Sequence, residues 1–429
     1  MLLNEERKTH MDNLALLFPG QGSQYVGMGR IFYNRYAIAR ETFEQAEDTL
    51  GYSLKEMCFS GNMEQLSMTE FAQPAILTVS MAAFRVFQQE FNIQPALAAG
   101  HSLGEITALT CSGTIRYADA LQIVRSRGQL MQQAVSEKEG AMSAVIGLKA
   151  EVIEQLCKEY SLDERVVVIA NYNAAHQIVI SGHAEEVRKV GETCLELGAT
   201  SVVGLQVSAP FHSSLMQPAV SRMREVLGQF QYHDPKWPVL SSTTGRLYEA
   251  TDDIVEKLAS QLILPVNWQA VMDYVAVHAV SAIEIGPRNV LKNLARSAPF
   301  QVFGFEKLED ILGFRQGIED EKERMQSSVT QLVDRALAII VCTKNRNPQA
   351  DEYEHGVLGP YAELLALRAS LESGKVQATA TEVDIAYSLL MSMMIAKQAP
   401  MEEQVIRYNQ LFQETGHRNL VSEKVLTNA

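Results

Sequence analysis

The pentapeptide Gly100-His101-Ser102-Leu103-Gly104 fits a pattern in which a serine stands on a tight strand-to-helix turn between small residues that let the backbone pass closely. Such a turn exposes the hydroxyl and aims the first amides of the next helix at a reacting carbonyl. The Leu103 N–H could then stabilise an oxyanion together with the helix dipole. A glycine-flanked serine at a helix start can also be purely structural, so the pentapeptide alone is not decisive. Serine needs a neighbouring base at neutral pH, and histidine is the side chain best matched to that task. Of the nine histidines, His212 follows an expected strand and precedes an expected helix in Ser208-Ala209-Pro210-Phe211-His212-Ser213. Strand ends of this kind collect active-site residues in α/β folds, although a surface or helix-capping histidine is the competing possibility. Gly20-Gln21-Gly22 begins like a dinucleotide loop, but Tyr25 stands where the third glycine belongs, which argues against NAD. Arg127, taken alone, is an ordinary solvated or paired cation on a helix.

The elements that must position these residues alternate along the chain. The apolar run Leu14 to Phe18, stopped by Pro19-Gly20, predicts a buried strand of a parallel sheet. Helical periodicity follows from Ile31 to Leu50 and again from Pro74, which suits a first helical turn, to Phe91. Ala96 to Gly100 leads into the serine turn, and Tyr117 to Val135 predicts a long helix. Short β-like runs at Ala141 to Leu148, Val166 to Ile169, Gln177 to Ile180 and Thr200 to Val207 enclose helices in β-α-β-β-α-β order, the split pattern of a ferredoxin-like subdomain. Alternation then resumes with a helix from Ser213 to Leu227, a strand from Val239 to Thr243, helices on either side of Pro265, and a strand from Val280 to Ile285 before Gly286-Pro287. The expected class is α/β: an α/β-hydrolase-like large domain with a parallel sheet at 12–135 and 208–305, an inserted ferredoxin-like α+β subdomain at 136–207, and a C-terminal all-helical extension at 306–429. In that extension Met391, Met393, Met394 and Met401 read as helix-packing residues, though pliable methionine also suits docking.

Composition bounds the rest. At 429 residues the chain predicts two or three compact units, and 47% hydrophobic with 21% charged residues is an ordinary globular balance. A formal charge of -14 argues against nonspecific nucleic-acid binding. The five cysteines are scattered without paired short spacing, so neither a metal site nor a disulfide framework is expected and a reducing cytoplasm fits. Met1 to Met11 is polar and charged, unlike a secretory signal, and Met11 offers an alternative start ahead of Leu14. Val383 to Ile395, interrupted by Asp384 and Ser388, falls short of the ~20 residues that cross a bilayer.

Several motifs then occur in one order: Leu17-Phe18-Pro19-Gly20-Gln21-Gly22-Ser23-Gln24 with Gly27-Met28-Gly29, Gln73-Pro74-Ala75, Gly100-His101-Ser102-Leu103-Gly104-Glu105, Arg127-Gly128, Asn171-Tyr172-Asn173, Pro210-Phe211-His212 and Glu284-Ile285-Gly286-Pro287. Together they closely resemble the malonyl-CoA:acyl carrier protein transacylases, both those of fatty acid synthesis and the acyltransferases of polyketide synthases. The resemblance spans roughly Asn13 to Phe305. It implies a Ser102–His212 dyad, with the Gln261 backbone carbonyl orienting the imidazole and the Gln21 N–H joining Leu103 in an oxyanion hole. It implies further that Arg127 grips the free carboxylate of a malonyl group through two parallel N–H bonds. An acetyl group would leave that cation unpaired, a mismatch that can cost ~10⁴ in selectivity. Gln73, His101, Phe211 and Asn171 fall to the substrate pocket. Phe211 matches a position that is bulky where malonyl is selected and smaller where methylmalonyl is accepted.

The resemblance implies ping-pong transfer from malonyl-CoA to the phosphopantetheine thiol of an acyl carrier protein, with no metal and no tightly bound cofactor; from the charge and hydropathy above, no nucleic-acid or membrane partner is expected. The region after Phe305 resembles extensions on free-standing acyltransferases, which points to a trans-acting enzyme of polyketide or hybrid lipopeptide assembly. The alternatives are a malonyl transacylase of fatty acid synthesis, a hydrolase clearing stalled acyl groups, against which Arg127 speaks, and a noncatalytic carrier-binding scaffold. No run of Lys or Arg marks a surface for an acidic carrier.

Overall fold

Every residue from Leu14 to Phe18 is buried, and a strand buried on both faces needs helices above and below it. The computed structural model describes residues 13–134, 140–162, 164–207, 209–249, 254–416 and 421. The stretch Met1 to Met11, Val135 at the end of the expected long helix, Ser136 and Ser208 lie outside the described residues. In chain order the strands are β1 (Leu14–Phe18), β2 (Leu97–Gly100), β3 (Gly140–Ile146), β4 (Val167–Ala174), β5 (Gln177–His183), β6 (Ser201–Gly204), β7 (Val239–Leu240), β8 (Ser281–Ile285) and β9 (Gln301–Phe305).

The larger sheet runs β7-β2-β1-β8-β9 with every pair parallel. On one side Ala15, Leu17 and Ala99 join Trp268, Val271 and Val275 of the helix Trp268–His278 in a single core. On the other, Phe18 meets Phe84 of the helix Thr69–Phe91 edge-on, with ring centroids 6.4 Å apart. The register pairs Phe18 with Gly100, so both central strands end at the serine turn.

β3 to β6 form a separate antiparallel sheet in the order β4-β5-β3-β6, the ferredoxin-like arrangement. The helices Ala150–Tyr160 and Ala184–Glu196 close its core with Ile153, Leu156, Val187 and Val190. β4 extends well past Ile169, and two register irregularities between it and β5 fall at Ile169/Asn171 and Tyr172/Ala174. Bulges of this kind re-aim side chains.

Other elements also differ from the sequence expectation, among them Ile31 to Leu50, which forms two helices, Arg30–Arg35 and Ala37–Leu50, broken at the extended Tyr36. The helix ending at Phe91 starts at Thr69, with Pro74 inside it. Its first turn closes where Phe71 and Ala72 donate to the Met68 carbonyl, at 2.9 and 2.8 Å, and the proline forfeits only one later bond. β9 has no counterpart among the expected strands: it is short and broken in pattern by Gly304, yet Phe305 stacks on Phe32 at 5.8 Å and meets Phe87 edge-on at 5.5 Å. β7 stops at Leu240 because the chain turns back at once, with Ser241 N–H donating to Arg246 and Gly245 N–H to the Ser241 carbonyl.

The described chain divides into a unit ending at Ile311 and one beginning at Leu312. In the latter the greater part of the helix Leu308–Cys342 and the helices Gly359–Glu372, Ala380–Ala396 and Met401–Thr415 share a core that includes Leu332, Val333, Leu364, Leu390 and Leu411. Met391, Met393 and Met394 belong to that core, whereas Met401 is exposed. No helix among the described residues is long and apolar enough to cross a membrane.

Candidate active site

The glycines of the serine turn are required by contact. A Cβ on Gly100 would lie 1.9 Å from the Gly104 carbonyl carbon, and one on Gly104 would lie 2.1 Å from the Phe18 oxygen. Strand and helix therefore approach closer than any side chain permits. Ser102 sits between them at φ 51, ψ -106, a sparsely populated conformation for a residue with a Cβ, and caps the helix Leu103–Cys111.

His212 also has a positive φ, of 59. Its Nδ1 lies 2.9 Å from the Gln261 carbonyl and 3.0 Å from that of Leu264, and both oxygens can only accept, so Nδ1 carries the proton. Nε2 is then a lone-pair acceptor, and the Ser102 hydroxyl donates to it across 2.9 Å. Two backbone carbonyls take the place that a carboxylate holds in a triad. Burial, and then the Arg127 charge, push the His212 pKa down from 6.5 to about 3, against the pull of the two carbonyls. The ring is a neutral base throughout the physiological range.

Arg127 is almost completely buried on the helix Tyr117–Gln133. Close crossing of that helix against Thr69–Phe91 is permitted by Gly128, where a Cβ would meet the Thr69 oxygen at 2.6 Å. The guanidinium donates to Gln73 Oε1 at 2.9 Å, Gln261 Oε1 at 2.8 Å and Ser102 Oγ at 3.1 Å. Its Nε is buried and has no partner among the described residues. Burial lowers its pKa to about 10, opposed by Glu105, so it remains a cation at neutral pH.

The Gly20–Gly22 loop lies directly on the serine turn, since a Cβ on Gly20 would be 2.5 Å from the His101 oxygen. Ser23 Oγ donates to the Gly20 carbonyl at 2.7 Å and Gly22 N–H to Gln24 Oε1 at 2.8 Å, which fixes the loop. Among the described residues the N–H groups of Gln21 and Leu103 meet no acceptor and remain available to an oxyanion. Burial pushes the His101 pKa below its ordinary value, against the pull of Asn173, whose Oδ1 lies 2.8 Å from His101 Nε2. Asn171 is buried in β4 beside its bridge to Val266. Phe211 is buried immediately before His212. A largely apolar cavity of about 690 Å³, lined by Cys157, Val167, Tyr172, Ile263 and Pro265, opens onto His212.

The structure thus brings Ser102, His212, Arg127, Gln73 and Gln261 into one hydrogen-bonded cluster, with Gln21, Leu103 and His101 beside it. Four contributors were not assigned from sequence: the Leu264 carbonyl, Asn173, the Gln261 side chain, and Glu105 with its partners Ser242 and Tyr248. One signal for Glu105 was present: it is a carboxylate inside Leu103–Cys111, a helix of otherwise small, apolar and hydroxyl residues. Among the described residues no group of three or more His, Cys, Asp or Glu could hold a metal ion.

An acyl transferase domain profile matches residues 15–332. A malonyl CoA-acyl carrier protein transacylase of Bacillus subtilis is 35% identical over 401 residues, covering 92% of this chain and 99% of that protein. Another of the same description, from Bacillus subtilis strain 168, is 41% identical over 287 residues, 67% of this chain and 90% of that protein. Among solved structures, a malonyl-transacylase in complex with its type II PKS acyl-carrier protein has a TM-score of 0.68 at 35% identity, covering 70% of this chain and 98% of that one.

Proposed function

The chain belongs to the acyl transferase domain family and, within it, to the malonyl CoA-acyl carrier protein transacylases; from that premise we propose that it moves a malonyl group from coenzyme A to the pantetheine thiol of an acyl carrier protein through an ester on Ser102. The observation that carries this reading is a single oxygen, Ser102 Oγ, placed 2.9 Å from a neutral imidazole nitrogen and 3.1 Å from a buried guanidinium.

In the first half-reaction the Ser102 proton passes to His212 Nε2 as Oγ bonds to the thioester carbon. The carbonyl oxygen becomes an oxyanion facing the Gln21 and Leu103 N–H groups. Collapse breaks the C–S bond, and the imidazolium returns its proton to the departing thiolate. In the second half-reaction the carrier thiol gives its proton to His212 and attacks the ester carbonyl, and Ser102 recovers its hydroxyl. Arg127 orients the malonyl carboxylate in both halves, and Phe211 crowds a branched α-carbon. The apolar cavity beside His212 suits the pantetheine arm common to both substrates.

The finer reading is a trans-acting enzyme of polyketide or hybrid lipopeptide assembly. What favours it is the helical unit, which a Bacillus subtilis relative matching 92% of this chain must largely share, together with the likeness to a malonyl-transacylase that partners a type II PKS acyl-carrier protein. The test is intact-mass measurement after exposure to malonyl-CoA, with and without holo carrier proteins from polyketide and fatty acid systems. Malonyl should add to the wild-type chain but not to Ser102→Ala, then pass to the carrier. Release as free malonate would identify a hydrolase, and exclusive use of the fatty acid carrier would overturn the trans-acting assignment.

A further inference from the structure

Glu105 is buried on the first turn of the helix that Ser102 caps, and four groups donate to its carboxylate. Oε2 accepts from the Ser242 N–H at 3.0 Å, Ser242 Oγ at 2.6 Å and Gln261 Nε2 at 2.6 Å, and Oε1 accepts from the Tyr248 hydroxyl. A carboxylate only accepts, so it fixes which end of the Gln261 amide faces it. The NH₂ end turns to Glu105, leaving Oε1 to accept from Arg127 Nη2 at 2.8 Å, while the carbonyl of the same residue accepts from His212 Nδ1 at 2.9 Å. One buried acid thus sets the amide that aims the guanidinium and belongs to the residue that orients the base.

Arg127 makes no ion pair among the described residues, yet the Glu105 charge opposes the loss of its proton on burial. A carboxylate in direct contact would saturate the guanidinium. One held a single amide away supports the positive charge and leaves an N–H unmet. We propose that Glu105 is a positioning residue that, through Gln261, keeps Arg127 aimed and unsaturated, and thereby sets the preference for a carboxylate-bearing acyl thioester over a neutral one. This rests on the reading of Arg127 as the malonyl carboxylate's partner.

The test measures kcat and KM for malonyl-CoA and acetyl-CoA in the same preparation of each full-length variant, because their ratio is insensitive to the fraction of folded protein. Glu105→Gln keeps the shape and removes the charge. The expected result is a fall of on the order of tenfold in malonyl over acetyl kcat/KM, from a higher KM for malonyl-CoA with acetyl-CoA within about twofold, the scale of one charge-assisted hydrogen bond. Tyr248→Phe removes one bond to Glu105 but keeps its charge and its contact with Gln261, and should retain the wild-type ratio. An unchanged ratio in Glu105→Gln overturns the proposal, as does an equal fall in Tyr248→Phe, which would mark a packing effect. Arg127→Ala separates the two readings. If it erases the preference while Glu105→Gln does not, only the role of Glu105 fails; if it leaves the preference intact, the Arg127 assignment fails first.

Discussion

The acid side of the pH profile should be nearly flat, because the base is held far from its ordinary pKa. An imidazole at 6.5 keeps only ~3% of its molecules in the basic form at about pH 5, whereas one at about 3 keeps ~99%. The acylation kcat/KM, which reports the free enzyme, should therefore change little between about pH 8 and about pH 5, instead of falling ~30-fold. Rapid-quench measurement of Ser102 acylation supplies the rate, and the burst amplitude counts folded sites, which matters because stability does respond. The unfolded chain protonates this histidine as pH falls below 6.5, while the folded one resists until about 3. The resulting stability is fully present above 6.5 and is lost at ~1.4 kcal/mol per pH unit as pH falls toward about 3. Arg127→Ala removes the second cause of the depression and leaves burial, so its acid limb, followed with acetyl-CoA, should move upward toward neutrality. A wild-type inflection near pH 6.5 in kcat/KM would refute the placement of His212 as a buried base beside a cation.

Three further outcomes follow from contacts already described. Arg127→Ala should cost about 10²- to 10³-fold in kcat/KM for malonyl-CoA, since it removes a buried cation and orphans two amide oxygens, and steady-state kinetics with both thioesters reads it directly. Gly128→Ala would force a Cβ to 2.6 Å from the Thr69 oxygen and should destabilise the chain by ~1–3 kcal/mol, read as a lowered Tm; an unshifted Tm would contradict the helix crossing. Phe211→Ser should raise methylmalonyl over malonyl transfer about tenfold, on the scale of one methyl group in a pocket, in a competition assay resolved by mass.

Much of this was legible in the residues because local rules and chemistry coincide. Gly100 and Gly104 mark a place where only hydrogen fits, and both the turn and its serine follow from that. The split β-α-β-β-α-β order appears in the alternation of apolar residues because each strand has one face on the helices Ala150–Tyr160 and Ala184–Glu196. β9 and the true start of the helix at Thr69 escaped because each depends on distant partners: the rings of Phe32 and Phe87 for the strand, and Gly128 on another helix for the crossing. The Glu105 network escaped for the same reason. Gln261 and Tyr248 are both more than a hundred residues from Glu105 along the chain, and no local pattern couples them.

The bond from His101 Nε2 to Asn173 Oδ1 joins the nucleophile's turn to the small sheet. A second seam, where Tyr172 N–H donates to Val266 and Val266 N–H to Ala170, joins that sheet to the stretch that cradles the base. Nucleophile and base are therefore each tied to the small sheet as well as to their own elements, which braces the 2.9 Å between Ser102 Oγ and His212 Nε2 from two sides.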